Sequence, residues 1–433
     1  MGDDKVMTEK FRIGVGKLNI TPPLSFPYLG FFPRHAFFKG IHDELFVRSL
    51  VVSHHGEEIA IIASDTFGFN NHILGKDRNF TEEVRIRIEE MTGIDRRNIM
   101  IASSHIHSTP DTLGFRPLDR KSLLWIESLI EKIATSVLLA KEDMFKADLK
   151  VATGQLKGIT KNRRGDKCLD TEVIMLLFNS HGKKAIIVNF ACHPVIVQVQ
   201  DLVSADFVGV LENTVEKTLS GVRGCLFLQG ACGDVNPIMG NTKDFDDVYH
   251  LGMALAGETI KLYSLTKIKK DSTQTPSLKV VSEKVLLPSR PLPPIGEVTK
   301  ELEELKAKLE RAEGKEREKL RRELRRKEEV YFRVLEGKGP FKAEIQVLRI
   351  GETLLIGIPG EPFCKMGIEI KRISKPLLGV PVGYANGYFG YLAPPDAWEK
   401  GGYEVSCGPW SKVSSESYNI LLEAFKKLRG KIE

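Results

Sequence analysis

The sequence predicts a layered α/β fold, a mixed-sheet sandwich flanked by helices, with a charged helical hairpin inserted into it. Three observations lead there. Short apolar runs of strand length alternate with amphipathic stretches of helical period along most of the 433 residues. Four of the apolar runs lead into histidines, a glycine loop or a carboxylate instead of ordinary turn residues. One segment, residues 298–338, breaks the alternation with a long run of charge.

Taken in order, residues 45–53 and 58–64 read as two strands joined at His55-Gly56. A helix follows, capped by Thr81, with Val84, Ile88 and Met91 on one face and Gly93 closing it. Residues 98–102 are a short buried strand. Residues 122–139 are a helix whose buried stripe is Leu123, Ile126, Ile130, Ile133 and Val137. Strands near 149–153, 173–178 and 185–191 come next, then a helix after Asp206, a strand over 224–228 and a helix over 245–263. In the charged segment Val298, Leu302, Leu305 and Leu309 recur at heptad-like spacing, and Gly314 lies near the midpoint. It reads as a helical hairpin packed on its own domain, with partner binding as the alternative. Strands over 343–350 and 353–358 and a helix after Ser414 complete the chain. No linker composition separates these elements, so residues 1–433 are read as one domain that carries the hairpin.

Bulk properties narrow the function. A net charge of +6, spread along the chain with no basic tract interleaved with aromatics, argues against nucleic acid as a partner. Apolar runs such as 59–63 and 354–358 are far too short to span a bilayer, so no transmembrane segment is expected. The opening MGDDKVMTEKFRIG carries acidic residues and no apolar core, unlike a signal peptide. Six cysteines without a CxxC pair are expected as free thiols in a reducing cytoplasm. Scarce glutamine beside abundant Lys, Arg and Glu is compatible with a thermophilic source. A homo-oligomer is left open.

The chemistry gathers where the apolar runs end. Residues 98–102 lead into His105-Ile-His107-Ser-Thr-Pro110. If the strand continued, His105 and His107 would share one face. Two such imidazoles can hold a metal together, or one can bind it while the other moves protons. A second run closes on His193. A third opens into Gln229-Gly-Ala-Cys-Gly-Asp-Val-Asn236-Pro237, whose glycines allow close backbone approach. A fourth runs into Pro359-Gly-Glu361. Strand C-termini are where α/β sheets carry their sites. Two or three histidines with a carboxylate form a zinc-hydrolase ligand set.

These residues, read together, resemble the neutral, non-lysosomal ceramidase family, zinc-dependent amidases that cleave the N-acyl bond of ceramide. The resemblance rests on Gly14-Val-Gly-Lys-Leu-Asn-Ile-Thr-Pro22, Gly40-Ile-His-Asp43, the His105-to-Pro110 signature, Asn162-Arg163-Arg164 and Asn189-Phe-Ala-Cys-His193. Val203-Ser-Ala-Asp206-Phe-Val-Gly209, Pro359-Gly-Glu361, Asn386-Gly-Tyr388-Phe-Gly-Tyr391 and Tyr403-Glu404 before Gly408-Pro409 extend it in order along the chain. It implies His105, His193, Glu361 and Tyr391 as zinc (Zn2+) ligands, and His107, Arg163 and Tyr403 around the scissile amide. For Tyr391, the residues alone favoured a packed aromatic.

The chain departs from the family pattern twice. Family members continue the Gly-Asp-Val loop with Ser-Pro, and that serine has been regarded as catalytic; here Asn236 stands in its place. An amide is no nucleophile, but it can donate a hydrogen bond to an oxyanion or a substrate hydroxyl. Set beside secreted ceramidases, the chain is also expected to do without their signal peptide and long C-terminal β-domain. The expectation is therefore a zinc-dependent amidohydrolase that cleaves a small soluble N-acyl compound with metal-activated water. His107 would transfer protons, Arg163 and Tyr403 would stabilise charge, and Asn236 would line one wall. Two alternatives stay open: a metal-dependent esterase or sugar/polyol-acting enzyme on the same site, and a non-enzymatic metal-stabilised scaffold.

Overall fold

Alternation within the strands sets the layers. The computed structural model describes residues 10–24, 37–115, 118–240, 242–269 and 273–432; most of the stretch that bears on a signal peptide, residues 1–9, lies outside the described residues. Eight strands build the larger sheet: β1 (Phe11–Asn19), β2 (Phe46–His54), β3 (Glu57–Ser64), β4 (Ile99–Ser103), β5 (Phe145–Gln155), β6 (Glu172–Asn179), β7 (Lys184–Phe190) and β8 (Val222–Gln229). Their order is β8-β7-β6-β5-β1-β2-β3-β4. Pairing is antiparallel except at the two edges, where β7 runs parallel to β8 and β3 to β4.

Along β3, Ala60 and Ile62 face one core while Ile59 and Ile61 face another. The first core packs against α1 (Phe80–Thr92), α2 (Arg120–Glu142), α3 (Asp206–Thr218) and α4 (Phe245–Ile268). The second packs against a four-stranded sheet, β9 (Leu278–Leu287), β10 (Phe341–Ile350), β11 (Thr353–Gly357) and β12 (Leu378–Val382), through Leu348, Leu355, Val380 and Val382. The far face of that sheet, with Val347, Leu354 and Ile356, is covered by two helices, Cys364–Ser374 and Glu416–Lys431. The result is helix, sheet, sheet, helix. Each fully buried Ile or Leu in these layers contributes about 2 kcal/mol by leaving water.

The hairpin is where the charge run placed it, between β9 and β10. It consists of α5 (Ile295–Arg311) and α6 (Gly314–Leu335). Gly314, at φ 57°, makes the break between them. Its base is anchored, with the buried Arg333 donating to the Lys412 carbonyl (3.0 Å) and to Ser289 Oγ (3.1 Å). No helix among the described residues is long and apolar enough to cross a membrane.

Two local expectations are corrected. The helix over residues 80–92 is capped by Asn79, whose side chain accepts from the Glu82 amide, whereas Thr81 lies inside the first turn. Thr81 instead hydrogen-bonds Asn71 Oδ1 at 2.7 Å. The strand before His105 ends at Ser103, so strand alternation does not bring His105 and His107 together.

Candidate metal centre

What brings them together is a left-handed residue. His105 has φ 66°, a conformation that a side chain with a Cβ adopts only when its surroundings impose it. The Thr66–Phe67 segment imposes it: His105 N donates to the Thr66 carbonyl (3.0 Å) and Nδ1 to the Phe67 carbonyl (2.6 Å). The ring is held between Phe67 and Tyr384, whose centroids lie 4.5 and 3.9 Å away. His107 then turns back, and its Nε2 comes to 3.3 Å from His105 Nε2.

His193, beyond the end of β7, is held in the same way. Its amide donates to the Val235 carbonyl (3.0 Å) and its Nδ1 to the Cys232 carbonyl (2.6 Å). A carbonyl only accepts, so Nδ1 of both His105 and His193 carries the proton. In the neutral rings Nε2 therefore presents a lone pair. Burial drives His193 down to about 4, which keeps it neutral at pH 7.

Glu361 comes from beyond β11. It forms a two-residue parallel pairing, Glu361 opposite Tyr391, just after Pro359-Gly360. A Cβ on Gly360 would meet the Gly390 carbonyl at 2.5 Å, which leaves glycine as the fitting residue there. Glu361 Oε2 stands 3.4 Å from His105 Nε2 and 3.3 Å from His193 Nε2. Tyr388 donates to its Oε1, and Tyr384 to its Oε2 at 3.4 Å. Burial opposes ionisation of this carboxyl, but the two imidazoles outweigh it and hold the group well below the usual carboxylate range.

The residues present fit a cation. The ring nitrogens of His105, His107 and His193 lie within 4.8 Å of one another, and His193 Nε2 makes no hydrogen bond. Ring lone pairs and a carboxylate oxygen thus converge in a buried space. His105, His193 and Glu361 are buried, and His107 is half-buried.

The remaining expected residues form a polar wall beside this cluster. Arg163 follows the short strand Thr160–Asn162, which pairs antiparallel with Val235–Pro237 and so sets Asn236 opposite Lys161. Arg163 Nε donates to Glu404 Oε1 (2.8 Å) and Nη2 to the Gly233 carbonyl (2.7 Å). Its guanidinium lies over the Tyr391 ring, 5.3 Å from the centroid. Tyr403, 54% exposed, stacks on Trp410 and lies 6.1 Å from the Tyr391 ring. Asn236 Oδ1 is buried without a hydrogen-bond partner. Asp234 holds the loop in place, accepting from Asn162 Nδ2 and from the Cys364 amide, both at 2.7 Å.

Of the two phenols on Glu361, sequence reasoning missed Tyr384 and saw Tyr388 only as part of a motif, with no role assigned. Their neighbour Asn386 was visible in a motif, and the structure shows its work: its side chain accepts from the Ile101 amide (3.0 Å) and pins the tyrosine loop to β4.

No protein-family model matches this chain. Over 74 residues, 15% of the chain, it is 38% identical to the neutral ceramidase of Mycobacterium tuberculosis (strain ATCC 25618 / H37Rv), a match that takes in only 12% of that protein. The structure aligns with neutral ceramidase from Pseudomonas aeruginosa at TM-score 0.73 and 19% identity, covering 98% of this chain and 75% of that one. It aligns with a ceramidase complexed with C2 at TM-score 0.72 and 18% identity, covering 98% and 76%. The chain has the neutral-ceramidase fold over nearly its whole length.

Proposed function

We propose that this chain is a zinc-dependent amidohydrolase that cleaves an N-acyl bond, with residues 1–433 acting as one hydrolase unit. One observation carries the reading: the Nε2 atoms of His105 and His193 and the Glu361 carboxylate converge as electron-pair donors. A zinc ion held by His105, His193 and Glu361, with Tyr391 as the fourth ligand, would acidify a water and polarise a carbonyl. The bond type is supported by the similar proteins reported above, which are named as ceramidases.

His107 is the residue of the cluster that reaches partly toward solvent, which suits it to take a proton from the attacking water and deliver it to the leaving nitrogen. Its closeness to His105 favours a second reading, in which it is a third nitrogen ligand. Arg163 is oriented by Glu404 and the Gly233 carbonyl, and with Tyr403 it would steady the negative charge that develops on the carbonyl oxygen. Asn236 stands beside them with a partnerless amide oxygen, ready for a substrate donor.

A soluble N-acyl substrate in a cytoplasmic setting belongs to the same proposal. It is supported by the polar wall of Arg163, Arg164, Glu404 and Asn236 and by six thiols none of which is joined in a disulfide. The test is a panel of N-acyl amino acids, O-acyl analogues and a short-chain ceramide, run on metal-stripped and zinc-loaded protein. Zinc-restored turnover of a soluble N-acyl compound supports the proposal. Turnover of ceramide alone overturns the soluble substrate, and turnover of only the O-acyl analogues overturns the amidase.

A further inference from the structure

We propose that Gln229 is a positioning residue that fixes the spacing of His105 and His193 by tying together the backbones that carry them. The inference rests on the metal reading above but concerns a residue outside the ligand set. Gln229 is the last residue of β8 and is completely buried. Its Nε2 donates twice, to the Ser104 carbonyl (3.1 Å) and to the Cys192 carbonyl (2.9 Å). Its Oε1 accepts twice, from the Cys192 amide (3.3 Å) and the Gly230 amide (3.1 Å). Every hydrogen-bonding position of the amide is thus used.

The partners give the pattern its meaning. Ser104 immediately precedes His105, and Cys192 immediately precedes His193. These histidines leave different strands, β4 and β7, and β4 lies at the opposite edge of the sheet from β8. No sheet hydrogen bond joins their ends; beyond the histidines the His107 amide donates to the Pro194 carbonyl (3.4 Å), and at the residues just before them the Gln229 side-chain amide spans the gap. The Gln229 carbonyl also accepts from the Gly383 amide (2.9 Å), next to Tyr384, which donates to Glu361. The backbone and side chain of a single residue therefore reach the supports of three candidate ligands. A glutamine suits this task because it offers two donors and an acceptor on one planar group. Glutamate would place a second oxygen against the Ser104 and Cys192 carbonyls, and methionine would take this partner from the Ser104 carbonyl and from the Cys192 carbonyl and amide, while the Gly230 amide keeps the Phe190 carbonyl at 2.9 Å.

The experiment compares wild type with Gln229→Glu, Gln229→Met and, as a ligand control, His105→Ala. Zinc affinity is measured by competition with a chromophoric chelator, and hydrogen exchange is followed by mass spectrometry on the metal-free proteins. Both Gln229 variants should bind zinc about 10- to 100-fold more weakly, the range for groups that orient metal ligands. Exchange should quicken together in the peptides containing residues 103–108 and 191–195, with β6 unchanged. Wild-type zinc affinity in Gln229→Met, or loosening of only one of the two loops, overturns the proposal. If Gln229→Met does not fold, Gln229→Glu gives the same two readouts. If wild type takes up no zinc, the metal reading fails, and the exchange data alone decide the staple: joint loosening supports it and unchanged exchange overturns it.

Discussion

Acid should unfold the metal-free protein through His193, and the size of the effect follows from its burial. The ring is enclosed, its Nδ1 proton is given to the Cys232 carbonyl, and burial lowers it from the ordinary 6.5 to about 4. Between those values the unfolded chain binds a proton on this ring that the folded chain does not. Stability therefore falls as pH falls through that window and is fully recovered above it. At about 1.4 kcal/mol per pH unit, the loss between pH 7 and pH 4 is about 3 kcal/mol from this one group. Urea unfolding of metal-stripped wild type and His193→Gln, measured from pH 7 to pH 4, isolates it. Glutamine can still donate to the Cys232 carbonyl but never titrates, and every carboxylate except Glu361, 3.3 Å from the ring, titrates alike in both proteins; repeating the comparison on a Glu361→Gln background removes that one. The wild-type curve should fall more steeply, by about 3 kcal/mol at pH 4. Parallel curves would show that His193 takes up its proton in the folded state, and the argument from neutral rings and lone pairs would fail.

The other predictions concern roles within the site and one buried ion cluster. His105→Ala and Glu361→Gln should each weaken zinc binding in a chelator competition, whereas His107→Ala should keep zinc and lose turnover; equal loss of zinc in His105→Ala and His107→Ala would make His107 a ligand. Asn236→Ser should keep measurable activity and Asn236→Ala should lose about 10²–10³ in turnover if the amide donates to the oxyanion. Single-turnover hydrolysis in ¹⁸O-water should label the acid product and never the protein, and a trapped acyl-enzyme would contradict direct attack by water. Arg48, buried among Asp65, Glu212 and Glu216, should cost about 3–5 kcal/mol when replaced by methionine, because three carboxylates then lose their shared cation; urea unfolding reads this directly.

Much of the fold was legible because apolar period and turn chemistry agree. The β2–β3 pair and its His55-Gly56 turn, with φ of 51° and 83°, follow from local sequence. β1 was missed for a physical reason. Its Gly14 and Gly16 weaken any strand signal, yet they are there for packing: a Cβ on either would lie within 2 Å of an α2 carbonyl, at Ala140 or Ser136. β9 was missed because it is half-exposed and alternates lysine and glutamate with valine. In the site, histidines and a carboxylate at strand ends carried their own signal. Tyr384 and Tyr388 did not, since a buried tyrosine is first of all a packed ring, and only the fold shows what its hydroxyl touches. The φ of His105 was equally hidden, because Thr66 and Phe67, which impose it, are nearly 40 residues earlier in the chain.

The central claim is that His105, His193 and Glu361 close on a metal ion that the reaction needs. Elemental analysis of protein purified without added metal, with His105→Ala alongside, tests it most directly. The account predicts one zinc per wild-type chain and little in the variant. Wild-type protein that carries no transition metal and takes none up on reconstitution would contradict it.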